Sequence, residues 1–167
     1  LEHASEEMRA ELVNKDPTIR TLAAWIQNPV SLKNAPEEMK GNLPIVMGEV
    51  RQDGTALQFA SEEMKNNERI VLAAVQQWGL ALEHASEEMK GNLPIVTAAV
   101  KQDGGALRFA SDEMKKDAEI MMKIVQVNGL ALEHTSEEMK GNEAVVTAAI
   151  QQNGFALQYA SEGLQQD

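Results

Sequence analysis

Apolar and polar residues alternate along this chain with the period of an α-helix. In Thr55–Lys65, the side chains of Leu57, Ala60 and Met64 lie at positions i, i+3 and i+7 and share one side of a helix. The segment after it carries a second stripe of the same kind, formed by Ile70, Val71, Ala74 and Val75. No stretch alternates with the period of two that a β-strand requires. The pattern therefore predicts pairs of short helices.

Polar residues and glycines mark the ends of the second helix in each pair. Asn67 stands at its N-cap, and Gly79 is placed to end it in the left-handed conformation. The same cap position is held by Asp16, Asn42, Asn92, Asp117 and Asn142. The same stop position is held by Gly54, Gly104, Gly129 and Gly154. Pro17 follows Asp16 at the first helical residue, where proline is favoured.

The two-helix pattern repeats every 25 residues. Ser61, Ser86, Ser111, Ser136 and Ser161 hold one position of it, with Pro36 and Ser5 in the earlier copies. Such self-similarity is typical of solenoids, whose units bury their apolar faces only against neighbouring units. We predict an all-α fold, an α-solenoid of short helical hairpins that forms a single domain over residues 1–167. Its units span about 1–28, 29–54, 55–79, 80–104, 105–129 and 130–154, with a partial unit at 155–167.

Alternate units differ, which gives a super-repeat of 50 residues. The letters EEMKGNLPIV occur at residues 37–46 and again at 87–96. One kind of unit carries a histidine where the other carries an aromatic residue: His3, His84 and His134 alternate with Phe59, Phe109 and Tyr159. Two stacking steps, roughly 20 Å, separate His84 from His134, too far for one metal ion to join them. We interpret the histidines as packing residues.

The pattern G-x-A-L-x-x-A-S-E-E-M-K followed by I-V-x-A-A-V-x-Q-x-G resembles the helical repeats named domain of unknown function 4116. The best matches are Gly54–Gly79, Gly79–Gly104 and Gly129–Gly154. The first unit departs from the pattern, because it carries an insertion and Pro29 in place of the stop glycine. The resemblance implies a tandem helical array from a protist, an alga or a bacterium. It implies no catalytic residue, since no activity is established for the family.

Composition removes several classes of function. The chain has no cysteine, so disulfides and thiolate chemistry are excluded, and its net charge of −11 repels nucleic acids and anionic membranes. No apolar run approaches the roughly 18–20 residues that span a bilayer, and no phosphate-binding loop or nucleophile elbow is present. We expect no enzyme activity, cofactor or metal site, no nucleic-acid partner and no membrane insertion. We also expect an intracellular or organellar location, and a chain that is part of a longer array.

Four acidic pairs recur at the same repeat position and are the first candidate binding residues. They are Glu62 and Glu63, Glu87 and Glu88, Asp112 and Glu113, and Glu137 and Glu138. The predicted first helix places them in its later half, where the helix dipole disfavours anions, and a lysine three residues after each first member partly offsets this. Two interpretations stay open: a solvated face, or an acidic ridge for a basic partner or divalent cations.

Four residues that break the repeat register are the other candidates. Trp25 and Trp78 stand apart from the pattern, and Trp78 takes a position that is Asp or Asn in the other units. It is either an interface anchor or a local cover for a hydrophobic joint. Met121 and Met122 lie outside the register of the repeat methionines, which we interpret as core, and we expect them to be exposed.

The leading hypothesis is a non-catalytic protein-binding or scaffolding module. The first alternative is an accessory structural subunit of a larger assembly, which the algal members of the resembled family extend to an organellar or photosynthetic complex. The second alternative is an acidic ridge that binds divalent cations weakly. In each protein-binding case the partner is another protein, with a basic surface or within the assembly.

Overall fold

The structure, a computed structural model, describes residues 31–166 and shows an all-α repeat fold. Each unit contributes three helical segments in the order 3-10 helix, short α-helix and long α-helix. The short α-helices are α1 (Glu37–Lys40), α3 (Glu62–Lys65), α5 (Glu87–Lys90), α7 (Asp112–Lys116), α9 (Glu137–Lys140) and α11 (Glu162–Gln166). The long α-helices are α2 (Leu43–Gln52), α4 (Glu68–Gln77), α6 (Leu93–Gln102), α8 (Ala118–Val127) and α10 (Glu143–Gln152). The 3-10 helices are Leu32–Asn34, Gly54–Phe59, Gly79–His84, Gly104–Phe109, Gly129–His134 and Gly154–Tyr159.

The long helices begin and pack as the sequence predicts. The Asn67 side chain accepts hydrogen bonds from the backbone N–H groups of Arg69 and Ile70 at the start of α4. Asn42, Asn92, Asp117 and Asn142 cap the other four long helices, which confirms those predicted caps. Asp16 lies outside the described residues. The stripe of Ile70, Val71, Ala74 and Val75 is completely buried. Each long helix contacts the next along the chain, so the core runs continuously through the units.

The predicted first helix of each hairpin is divided in two. Ala60 and Ser61 have extended backbone angles and separate the 3-10 helix Gly54–Phe59 from α3. The Ser61 hydroxyl accepts the N–H of Met64 at 3.4 Å, and its own N–H donates to the Lys40 carbonyl of the preceding unit at 2.9 Å. Serine caps helices in this way and so competes with a continuous helix. Leu57, Ala60 and Met64 are nevertheless all buried, as their stripe predicts.

This backbone hydrogen bond from serine to lysine joins consecutive units. It recurs from Ser86 to Lys65 at 3.0 Å, from Ser111 to Lys90 at 3.0 Å and from Ser161 to Lys140 at 2.8 Å. At the remaining junction, the Ser136 N–H donates to no acceptor in the described residues. There α7 is one residue longer than α3, α5 or α9, because Lys116 stands where those helices are followed by Asn or Gly. The junction between α7 and α9 therefore differs from the others.

The predicted role of the glycines as left-handed stops is wrong. No glycine in residues 31–166 has a positive φ angle, and each of Gly54, Gly79, Gly104, Gly129 and Gly154 begins a 3-10 helix instead. A Cβ atom on Gly54 would lie 2.5 Å from the carbonyl oxygen of Ala74, and one on Gly79 would lie 2.5 Å from that of Ala99. Glycine is needed at these positions because the next unit packs directly against the backbone.

The methionines of the short helices belong to the core. The repeat methionines Met39, Met64, Met89, Met114 and Met139 are buried, which confirms their interpretation as core, and Leu164 is half-buried at the same position. Met8 lies outside the described residues. Of the helices in residues 31–166, none combines the length and the apolar character needed to cross a membrane.

Replacing Gly79 by alanine tests the close packing between units. We expect Gly79→Ala to lower the free energy of unfolding by about 1–3 kcal/mol, because the new methyl group meets the Ala99 carbonyl oxygen. Urea unfolding followed by circular dichroism measures this change. Gly154→Ala is the matched control, since a Cβ atom there meets nothing within 4 Å. An equal loss of stability in both variants would contradict the packing explanation.

Candidate protein-binding surface

The acidic pairs lie in the first turn of the short helices and are exposed to solvent. Glu62 and Glu63 open α3, and the corresponding pairs open α5, α7 and α9. The expectation that they occupy the later half of a helix, where the dipole opposes them, is wrong because the serine cap starts a new helix just before them. Carboxylates at a helix N-terminus are stabilised by its dipole. We call these eight residues of α3, α5, α7 and α9 the acidic ridge.

The two members of each acidic pair are not equivalent. The first member forms an ion pair with the lysine three residues later: Glu62–Lys65 at 2.9 Å, Glu87–Lys90 at 2.9 Å, Asp112–Lys115 at 3.0 Å and Glu137–Lys140 at 2.8 Å. Hydrogen bonding from the Lys115 ammonium lowers the pKa of Asp112. The second members have no ion pair within residues 31–166; they are Glu63, Glu88, Glu113 and Glu138. Each unit of the ridge therefore presents one carboxylate that no neighbouring cation neutralises.

Contacts between units join three of the four short helices of the acidic ridge, α3, α5 and α7. The serine-to-lysine hydrogen bonds join the end of one short helix to the start of the next at the α3–α5 and α5–α7 junctions. At the first of these, the Asn66 side chain accepts a hydrogen bond from the Ser86 hydroxyl and donates to Glu88 at 3.1 Å. The part of the chain that the structure describes holds no group of three or more His, Asp or Glu side chains arranged to bind a metal ion. The ridge is therefore a row of separated charges.

The histidines of the described units are half-buried between neighbouring units. The His84 ring lies 6.4 Å from the Trp78 ring, measured between centroids. Burial lowers the pKa of His84, the Glu83 carboxylate acts in the opposite direction, and Lys65 and Lys90 lower the pKa further. His134 lies 3.9 Å from the Glu133 carboxylate, and its ring is within 3.6 Å of where a Cβ atom on Gly105 would be. His3 lies outside the described residues.

Trp78 replaces a residue that caps a 3-10 helix. In the other units the side-chain oxygen of Asp53, Asp103, Asn128 or Asn153 accepts the backbone N–H two residues later. Trp78 makes no such bond; its side chain is half-buried against the core and approaches Gly54 of the preceding unit. This placement covers a local joint and leaves part of the ring exposed. Trp25 lies outside the described residues.

The expected exposure of Met121 is wrong. Its side chain is completely buried, and Met122 is half-buried against the core. Met121 takes the repeat position of Val46, Val71, Val96 and Val146 on the inner side of the long helices. Met121 can therefore be identified as a core residue when the long helices of the units are aligned with one another at 25-residue intervals. Met122, one residue further along, borders a groove between α8 and α10.

Two grooves between long helices were missed by the sequence reasoning. A cavity of about 480 Å³ lies between α2 and α4, and one of about 620 Å³ lies between α8 and α10. The first contains Arg51 and Arg69, which did not stand out as candidate residues. An alignment of the repeat units could have identified Arg69 as unusual. The other described units have no basic residue at its position, which is held by Pro44, Pro94, Glu119 and Ala144.

Comparisons with known proteins identify a family and nothing more specific. The family described as "Domain of unknown function (DUF4116)" has a model that matches four overlapping segments of the chain, residues 26–64, 49–90, 92–140 and 117–165. These tandem matches agree with the repeat units of the structure. No curated protein and no solved structure gives a significant match.

His84→Phe tests the electrostatic environment of the half-buried histidines. Because the pKa of His84 is lowered in the folded chain, its stabilising contribution is complete above the unfolded value of about 6.5 and is lost as the pH falls through the lowered value. Phenylalanine holds this position in alternate units. We therefore expect the urea midpoint to fall less on acidification from about pH 7.5 to about pH 5.5 in His84→Phe than in the wild type. An identical fall in both proteins would contradict the lowered pKa.

Proposed function

The chain belongs to the DUF4116 family of tandem helical repeats, and we propose that it is a non-catalytic protein-binding module whose acidic ridge takes a basic protein surface. A repeat array presents the same surface groups at regular intervals, which suits a long partner surface better than a small molecule. The proposal concerns the exposed carboxylates of the short helices and assigns no chemistry to them.

One observation carries the proposal: the second carboxylate of each acidic pair is exposed and lacks an ion pair within residues 31–166. A carboxylate that already holds a lysine gains little from a second cation. Glu63, Glu88, Glu113 and Glu138 remain available in the first turns of α3, α5, α7 and α9. The unpaired member of each pair is therefore the group that we assign to the partner.

The arrangement of the ridge favours an extended basic surface. Packed helices lie roughly 8–10 Å apart, so successive units offer carboxylates at about that interval. An exposed ion pair contributes only about 0.5 kcal/mol, and useful affinity requires several of them together. The net charge of −11 would also accelerate the encounter with a cationic partner at low salt. Binding through the ridge is therefore multivalent and sensitive to salt.

The divalent-cation alternative has less support. Calcium takes six to eight oxygen ligands and magnesium needs an octahedral set. Within the described units the ridge carboxylates form no cluster that could surround one ion. The spacing of the ridge suits separate cationic side chains of a protein better than a single metal ion.

Neutralising the unpaired carboxylates tests the proposed ridge. We expect the fourfold variant Glu63→Gln, Glu88→Gln, Glu113→Gln and Glu138→Gln to bind a lysine-rich helical probe peptide about 30-fold more weakly than the wild type, since four lost ion pairs amount to about 2 kcal/mol. Fluorescence polarisation at low salt measures the affinity, and circular dichroism checks that the variant folds.

The matched control removes the same charge from other places. It carries Glu49→Gln, Glu68→Gln, Glu83→Gln and Glu143→Gln, four carboxylates without an ion pair in the described residues and outside the ridge. We expect this control to weaken binding by only a few-fold through the lower net charge. The ridge proposal fails if the two variants weaken binding to the same extent.

A further inference from the structure

The two grooves between long helices are the same site of the repeat, 75 residues apart. Met47, Arg51, Leu72, Ala73 and Gln76 border the groove between α2 and α4. Their counterparts three units later are Met122, Gln126, Thr147, Ala148 and Gln151, and they border the groove between α8 and α10. The groove thus recurs at equivalent positions of two interfaces between long helices. The residues at its rim then determine what each copy can bind.

The groove between α2 and α4 is cationic in a strongly acidic chain. Arg51 and Arg69 border it and are exposed, and neither forms an ion pair within residues 31–166. Glu49 and Glu68 belong to the same two helices but do not line the groove. Two guanidinium groups without carboxylate partners thus face a common cavity of about 480 Å³.

The remaining lining of this groove is part apolar and part amide. Met47, Leu72 and Ala73 are half-buried and supply the apolar part, and Gln76 and Gln77 add side-chain amides. The groove is open to solvent, and four of its seven lining residues are polar or charged. Its apolar part favours a ligand that brings an apolar side chain together with its negative charge.

We propose that the groove between α2 and α4 binds a protein segment that carries carboxylates beside an apolar side chain. Arginine holds a carboxylate through two parallel hydrogen bonds, and two arginines select a segment with two acidic residues. The apolar side chain of the segment packs on Met47 and Leu72. The net charge of −11 repels a nucleic acid, with its many phosphates, more strongly than a segment with two carboxylates.

This binding surface differs from the acidic ridge in its position and in the sign of its charge. It is formed by the long helices α2 and α4, whereas the ridge lies on the short helices, and it selects an acidic partner instead of a basic one. The two proposals therefore fail or succeed independently. The fourfold ridge variant should bind an acidic segment as the wild type does.

The equivalent groove without arginines provides an internal control. Gln126 and Ala144 hold the positions of Arg51 and Arg69 in the groove between α8 and α10. The variant Arg51→Gln with Arg69→Ala gives the first groove the residues that the second groove holds at these two positions, while Leu72 stays where the second groove has Thr147. The reciprocal variant gives the second groove both arginines and the apolar residue through Gln126→Arg, Ala144→Arg and Thr147→Leu, and Glu143→Gln removes the carboxylate that lines it.

The experiment measures fluorescence polarisation of a labelled probe peptide made of glutamate and leucine. We expect saturable binding to the wild type and no binding of the same peptide with glutamine in place of glutamate. Removing both arginines should weaken binding at least tenfold, because charge-assisted hydrogen bonds to both guanidinium groups are lost. Adding Gln126→Arg, Glu143→Gln, Ala144→Arg and Thr147→Leu to that variant should restore binding at the second groove.

Four results would overturn the assignment. The first three are no saturable binding to the wild type, unchanged affinity after both arginines are removed, and no restoration of binding at the second groove. The fourth is displacement of the labelled peptide by inorganic phosphate at concentrations where the glutamine peptide does not displace it. The last result would mean a general anion site instead of a docking site for a carboxylate-bearing segment. Circular dichroism of each variant ensures that lost binding is not lost folding.

Discussion

The placement of the acidic ridge depends on one interaction, the hydrogen bond that a serine hydroxyl accepts at the start of each of its four short helices. The same serine interrupts the predicted first helix, and at four of the five junctions its N–H also donates to the lysine carbonyl of the preceding unit. A single residue therefore ends one element, begins another and ties both to the neighbouring unit. Because the short helix begins there, the next two residues occupy its first turn. The charges of the acidic ridge are placed by this serine cap, which is also present at Ser136, before any partner is considered.

The sequence predicts the features that depend on periodicity and on local capping. The repeat, the all-α class, the asparagine and aspartate caps and the buried stripe of α4 all follow from the spacing of residue types. The interruption at Ala60 and Ser61 does not follow from that spacing, because the Ser61 N–H donates to the Lys40 carbonyl in another unit. Gly79 was misjudged for a similar reason. The rule for helix ends is local, whereas the steric demand on Gly79 comes from Ala99 in the next unit.

The sequence identifies the residues of the acidic ridge but not how their side chains are arranged. The acidic pairs stand out in the sequence, but the difference between their members depends on which carboxylate reaches the lysine. Met121 was misplaced because it was compared with the methionines of the short helix and not with the valines of its own helix. The arginine groove went unnoticed because Arg51 and Arg69 are 18 residues apart and meet only when two long helices pack. The net charge of −11 does not reveal this groove, because a total charge does not show how the positive side chains are distributed over the surface.

The alternation of the units has a consequence for how the gene can change length. The Gly79 N–H donates to the side chain of Gln102 at 2.5 Å, and the Gly129 N–H donates to that of Gln152 at 2.6 Å, so this contact recurs every second unit. At Gly104 the next unit instead offers Asn128, whose side-chain amide donates to the Val100 carbonyl at 3.2 Å. Loss or gain of two adjacent units keeps the two kinds of unit alternating, so a glycine of the Gly79 kind still faces a glutamine of the Gln102 kind. Loss or gain of one unit joins surfaces that never meet in the described array. Recombination within such a gene is thus expected to preserve folding in steps of 50 codons, which is the spacing of its repeated ten-letter segment.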